Sequence, residues 1–107
     1  MTVFFHPEFS SDIRKVQASY FQVSKGLAAR FRQEVDGAVA AIQTSPRSAG
    51  HLLNKRTSLA VEFRRRNLRA FPYFVLYGLA GDWLIFGSVI PSRSDPLTWL
   101  ARFSGNA

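Results

Sequence analysis

Apolar and polar positions along this chain follow two different periods, and the switch between them separates a helical first half from a sheet-forming second half. Residues 2–6 read Thr-Val-Phe-Phe-His, β-branched and aromatic, and predict a short strand. Pro7 suits the first turn of a helix, where its missing N–H would have no partner anyway. From there to about residue 23, Phe9, Ile13, Val16 and Tyr20 recur at steps of four, three and four. That spacing puts them on one helical face and turns Arg14, Lys15 and Gln17 away from it. Ser24 is a cap for a second helix, whose stripe Leu27, Phe31, Val35, Ala38, Val39 and Ile42 runs until Thr44, Ser45 and Pro46 end it. The short break between the two helices makes a hairpin.

Residues 45–57 are rich in Ser, Arg, Gly and Asn without a sustained period, and predict a loop with at most a turn around His51, Leu52 and Leu53. After it the period becomes two. Leu59, Val61 and Phe63 alternate with Ala60, Glu62 and Arg64, the pattern of a half-buried strand that continues into residues 65–69. Residues 73–79 and 83–90 are nearly all apolar and flank Ala80, Gly81 and Asp82, which predicts a tight hairpin between two central strands. Asp95 and Pro96 offer a cap and a first-turn proline for a short helix over Leu97 to Phe103.

This order of elements predicts one α+β domain over residues 1–107. An N-terminal strand and a helical hairpin pack on one face of a mainly antiparallel four-stranded sheet, with a short C-terminal helix. The opposite sheet face is then either solvated or a groove for another chain, and the aromatic side chains on both alternating sets of strand 73–79 favour the groove. A hydrophobic fraction of 47% supports one modest core and no second domain. The chain has no Cys, which removes disulfides, thiolate metal sites and a cysteine nucleophile, and makes a reducing cytoplasm the default. The first residues lack the basic and apolar regions of a signal peptide, and no run approaches the length of a membrane span.

Charge sharpens this outline. The net charge is +7, and it is concentrated: Arg47, Lys55, Arg56, Arg64, Arg65, Arg66 and Arg69 stand against Glu62 alone, a local excess of +6. Such a stretch steers a protein toward nucleic acid, ribosome or an acidic protein segment, the plain alternative being a solvated basic face. Other chemistry is thin. His6 and His51 form no ligand-spaced pair, so no metal site is expected. No glycine-rich phosphate loop precedes a helix, and Ser58 and Ser88 lack a nucleophile elbow, so neither a nucleotide cofactor nor a serine triad is expected. Arginines hold phosphate oxygens well but move protons poorly. After Tyr77 the chain has no His, Tyr or Glu, and Asp95 reads better as a helix cap.

The stretch Arg65-Arg66-Asn67-Leu68-Arg69-Ala70-Phe71-Pro72-Tyr73-Phe74-Val75-Leu76-Tyr77 resembles the RR-x-L-R-x-FPY-x-x-x-Y segment of the RelE/ParE toxin superfamily. The run from Arg93 through Asp95, Pro96 and Trp99 to Arg102 is similar to that family's RDP-x-x-W-x-x-R ending, with one residue inserted between Arg and Asp. Phe5-His6-Pro7-Glu8 fits its opening, so the resemblance spans essentially the whole chain. It implies the toxin of a type II toxin–antitoxin system, masked by a ParD-like or similar cognate antitoxin in a hetero-oligomer. ParE-like members poison DNA gyrase, whereas RelE-like members cleave mRNA on the ribosome. Two departures favour the ParE-like side and a non-enzymatic action: Phe74 stands where RelE-like toxins carry an arginine, and the catalytic Tyr or His of their tail is missing.

The residues expected at the target surface are accordingly Arg64, Arg65, Arg66, Arg69, Arg93 and Arg102; if the chain is a ribonuclease, Arg65, Arg69 and Arg93 hold the phosphate. Those expected against the antitoxin are Phe63, Arg65, Tyr73, Val75, Tyr77 and Trp83. Duller roles compete for several of them. Arg64 and Arg66 facing solvent on an edge strand, Arg69 paired with Asp95 or Glu62, and Tyr73, Tyr77 and Trp99 serving as packing are the alternatives.

Overall fold

A computed structural model of the chain describes residues 1–53 and 61–103. The elements run β1 (Thr2–Phe5), α1 (Phe9–Phe21), α2 (Lys25–Thr44), β2 (His51–Leu52), β3 (Glu62–Asn67), β4 (Tyr73–Ala80), β5 (Trp83–Pro91) and a C-terminal 3₁₀ helix (Pro96–Phe103). The strands form one sheet in the order β1-β5-β4-β3-β2, antiparallel except for the parallel pair β1 and β5. The α+β expectation holds, with five strands instead of four. The added strand is β2, where a turn was expected: two residues are too few for a period to show, and their pairing with Arg65 and Arg64 comes from a distant segment. Leu59 and Ala60, like Lys55, Arg56 and Ser58, lie outside the described residues. No helix among the described residues is long and apolar enough to cross a membrane.

Each helix follows its stripe. The Ser24 hydroxyl accepts the Leu27 N–H at 2.9 Å and opens α2, which buries Phe31, Val35, Ala38 and Ile42 against the sheet. α1 adds Phe9 and Ile13. Beneath them lie Val75, Tyr77, Leu79, Leu84, Phe86 and Val89 of the two central strands. The β4–β5 hairpin turns on Gly81 at φ +59°, which only glycine adopts without strain and which a two-residue loop with a primed turn requires.

The second sheet face is not open. Phe103 and Trp99 of the 3₁₀ helix pack there with Phe63, Phe74, Leu76 and Ile90. A bulge makes this possible. The register shifts between Leu76 and Tyr77, which face Ser88 and Phe86, leaving Gly87 as the extra residue of β5. A methyl group at Gly87 would collide with the Phe103 ring, so its missing side chain is the seat of that ring.

β5 also outruns its partner β1, whose last paired residue meets Phe86. Past that point Asp12 of α1 accepts the Val89 N–H at 3.3 Å, and Arg102 donates to the Gly87 carbonyl at 2.9 Å and the Ser88 hydroxyl at 3.0 Å. Asp12 and Arg102 close on one another through two hydrogen bonds, of 2.7 and 3.3 Å. Side chains from α1 and the tail thus satisfy backbone groups that no strand reaches.

Three outcomes are expected. Asp12→Ala leaves the half-buried Arg102 guanidinium with only the more distant Glu8 as a carboxylate partner and should cost about 3 kcal/mol by urea unfolding, whereas the paired replacement Asp12→Leu with Arg102→Met should recover most of it. Gly87→Ala should displace Phe103 and cost about 1–3 kcal/mol, with faster proteolysis of the tail. Tyr77 donates its hydroxyl to the Pro46 carbonyl at 2.5 Å, and burial raises its pKa against the opposing pull of Arg64 and Arg66. Its contribution is therefore full below the unfolded tyrosine pKa of about 10 and is lost as pH rises through the higher folded value. Tyr77→Phe should cost about 1 kcal/mol at neutral pH, and the gap to wild type should narrow in urea unfolding above about pH 10.

Candidate functional site

Three consecutive arginines on one strand cannot share a face. Arg64 and Arg66 pair in register with Tyr77 and Val75 and so lie on the helix side of the sheet, while Arg65 faces Leu76 on the other. On the helix side both arginines act inward. Arg64 donates to the Glu62 carboxylate at 2.6 Å and to the carbonyls of Arg47 and Gly50 at 2.7 and 3.0 Å. Arg66 donates to the Ala49 carbonyl at 2.7 Å. Together with Tyr77 they hold the segment that follows α2 against the sheet, because its carbonyls have no strand to pair with. The expectation of Arg64 at the target surface, and the alternative that it faces solvent on an edge strand, are both corrected by this clamp. Arg66 retains donors toward a groove it shares with Arg69.

Arg65 behaves differently. Its guanidinium lies over the Phe74 ring at 3.8 Å from the centroid and is held edge-on by Asn67 Oδ1 at 3.1 and 2.8 Å. Stacking and a fixed acceptor pre-set the plane of the group. An arginine therefore covers position 74 from the neighbouring strand, although residue 74 itself is Phe. Across the β2–β3 pair His51 stands opposite Arg65, an adjacency hidden in the sequence because β2 is too short to be read.

Arg69 and Arg93 are brought to one end of the sheet. Arg69 sits in the connection from β3 to β4, where Glu34 of α2 accepts both its backbone N–H and that of Ala70, the latter at 2.9 Å. Its exposed side chain pairs with neither Glu62, which Arg64 holds, nor any other described residue through a hydrogen bond or ion pair. Arg69 and Arg66 line a shallow groove of about 240 Å³ with Glu34, and Arg30 lines an adjoining one of about 450 Å³ with Glu34 and Phe71. Arg93 follows β5 in an exposed turn. The Ser92 N–H reaches the Pro72 carbonyl at 2.9 Å, and Pro72, Tyr73 and Arg93 line a third groove of about 230 Å³.

Arg102 does not belong to this surface. Its half-buried guanidinium is engaged by Asp12, Gly87 and Ser88, lies 3.6 Å from Glu8 and stacks 4.8 Å from Trp99. The expected antitoxin contacts are sorted in the same way. Phe63 is covered by Phe103 in an edge-to-face contact at 4.9 Å, Val75 and Tyr77 are fully buried under the helices, and Tyr73 packs against Tyr20 and Phe31. Apolar residues on alternating positions of a central strand went to two cores, one on each face, leaving Arg65 and Trp83, the latter 49% exposed.

Of the groups able to move protons, Glu34 lines the groove with Arg69 and Tyr73 lines the one with Arg93. Tyr20, beside the same loop, has its pKa raised by burial and then by Tyr73. His6 is buried, with Nδ1 accepting the Glu8 N–H at 3.1 Å. His51 is exposed, beside Arg65.

No family model and no curated protein matches the chain. Among solved structures, it is similar to a chain of the chromosomal ParDE TA system from P. aeruginosa, with a TM-score of 0.68 and 14% sequence identity over 85% of this chain and 95% of that one. At such an identity the backbone is the common element, and the chain carries the α+β fold of that ParDE-system protein.

Proposed function

We propose that the chain is the toxin half of a type II toxin–antitoxin pair and acts by binding: a ParE-like inhibitor of DNA gyrase, neutralised by a cognate antitoxin. The observation that carries this reading is the fold likeness, over 85% of the chain, to a protein of a ParDE system. The surface chemistry supports it. Arg69 and Arg93 project from loops at one end of the sheet, an arrangement suited to holding an anionic or acidic surface. The antitoxin would contribute an acidic segment over the basic rim around Arg65, Arg66 and Arg69, and would mask it by charge complementarity.

One observation favours a second reading. His51 opposite Arg65 places an exposed imidazole beside a fixed guanidinium, with the side chain of Phe74 beneath it. A RelE-like ribonuclease would use the arginine to hold the scissile phosphate and the histidine to take the 2′-hydroxyl proton.

Induction of the chain alone in bacteria separates the two. Gyrase inhibition should give chromosome breaks and an SOS response without new mRNA 5′ ends, and Arg93→Ala should weaken target association about tenfold or more while antitoxin binding persists. New ribosome-dependent mRNA ends that vanish with His51→Ala, and no DNA damage, would establish the ribonuclease instead. Absence of any growth effect from the folded chain would remove both.

A further inference from the structure

The two edges of the sheet are built differently. β2, at one edge, is two residues long and runs beside Arg64 and Arg65, and both shortness and charge keep an edge from recruiting a further strand. β1, at the other, has four residues exposed along its whole length, with Val3 at 38%, Phe4 at 45% and Phe5 at 44%. Residues 1–5 contain no charged side chain and no proline. On the adjacent strand Trp83, in register with Thr2, is a further exposed aromatic. The usual protections of an edge are missing on this side.

We propose that β1 is a self-association edge, through which two copies of this chain join their sheets antiparallel about a two-fold axis at Phe4. The geometry of the strand is self-complementary. The Thr2 N–H bonds to the Asp82 carbonyl at 2.8 Å and the His6 N–H to the Phe86 carbonyl at 2.9 Å, so even-numbered residues turn their backbone groups toward β5. Val3 and Phe5 then point theirs outward. With the axis at Phe4, Val3 of each copy stands opposite Phe5 of the other, and the two pairs exchange four hydrogen bonds. The two Phe4 residues meet in the closely spaced, non-hydrogen-bonded position, where cross-strand aromatic pairs are favourable.

Face matching selects this register. Phe4 aligns with Ile85 on the sheet face away from the helices, and Phe5 stacks on Phe86 at 4.7 Å on the helix face, with Val3 on that same side. A slip by one residue would set Val3 against Phe4 and oppose side chains from different faces, which the pleat forbids.

Charge decides which occupant fits. The excess of +6 lies between Arg47 and Arg69, and its described part is at the opposite side of the sheet. Four strand spacings separate the edges, about 19 Å, which is more than two screening lengths of about 8 Å at physiological salt. Acidic or polyanionic partners are drawn to β2 and β3, whereas β1 offers an uncharged apolar strand that a second copy matches without repulsion. The joined sheet would have ten strands with a basic edge at each outer end. This proposal stands independently of the toxin reading, since it uses neither the arginines nor their target.

The test is sedimentation velocity of the full chain from low micromolar to near-millimolar concentration, with dimer expected to grow with concentration. Val3→Pro removes an outward N–H, and with it two of the four bonds by symmetry, while leaving the bonds of Thr2 and His6 to β5. Phe4→Lys places two ammonium groups at the axis. Each should move dimerisation to concentrations at least about tenfold higher, equivalent to about 1.4 kcal/mol, with an unchanged circular dichroism spectrum. Leu52→Lys on the other edge should have no effect. Because the chain has no cysteine, Phe4→Cys supplies a positive test even if those variants fold poorly. The close antiparallel position puts the two Cα atoms within disulfide reach, so mild oxidation should give a covalent dimer that Leu52→Cys does not give. A chain that stays monomeric at every concentration, a dimer insensitive to both edge variants, or Phe4→Cys failing to cross-link would each overturn the proposal.

Discussion

The pairing of Asp12 with Arg102 is the interaction on which the arrangement of the layers rests. β5 is the longest strand and its neighbour β1 stops at Phe86, so the later part of β5 would present bare backbone groups to the interior under α1. Asp12 takes the Val89 N–H, Arg102 takes the Gly87 carbonyl and the Ser88 hydroxyl, and each neutralises the other. A carboxylate without the guanidinium would be a charge held out of water, and the guanidinium without the carboxylate equally so. The pair also sets the position of the tail. With Arg102 fixed, Phe103 falls on the bulge at Gly87 and closes the second sheet face, which converts a half-open sheet into a sandwich of helices, sheet and tail.

That requirement explains how the arginines divide. A small sheet with a short edge strand and a bulge has carbonyls that no strand partner reaches, and a long cationic side chain with several donors is the cheapest way to satisfy them. Arg64, Arg66 and Arg102 do this for Arg47, Ala49, Gly50 and Gly87. Net charge therefore overstates the surface available for recognition. Arg65 is intermediate, pinned by Asn67 and Phe74 but still half exposed, and Arg69 and Arg93 are the ones whose backbone is anchored while their guanidinium groups project. Glu34 has a positioning role here: by accepting two consecutive N–H groups from the connection to β4, it fixes the loop that carries Arg69 without neutralising its side chain.

Much of the fold was legible wherever one local rule governed a long segment. The stripe from Leu27 to Ile42, the cap at Ser24 and the Gly81 turn all follow from contacts within a few residues, and each stands where the pattern put it. Where a distant segment decides the outcome, the local pattern does not show it. Alternation along β4 correctly gave two faces, but the assignment of Phe63, Val75 and Tyr77 to a partner ignored that two other parts of the same chain compete for those faces. Arg102 was misplaced for the same reason: nothing near it in sequence reveals Asp12, ninety positions earlier. The adjacency of His51 and Arg65 was invisible because a two-residue strand has no period to recognise.

Where these side chains lie decides which chemistry the surface can support. Phosphodiester cleavage needs an anion holder and a proton carrier at the same atom, whereas inhibition by binding needs only the first. At the loop end of the sheet, Arg69 and Arg93 are suited to the first condition, Glu34 and Tyr73 line their grooves, and Tyr20 is driven by burial toward its protonated form. At the β2 edge the conditions are reversed in quality: His51 is present, but Arg65 is held by Asn67 and Phe74 on the side facing away from β2, and turning its guanidinium onto a phosphate beside His51 would forfeit both contacts. Each such contact is worth on the order of 1 kcal/mol, so rearrangement is affordable for a tightly bound substrate and unfavourable for a weak one. The loop end requires no such rearrangement to present its guanidinium groups.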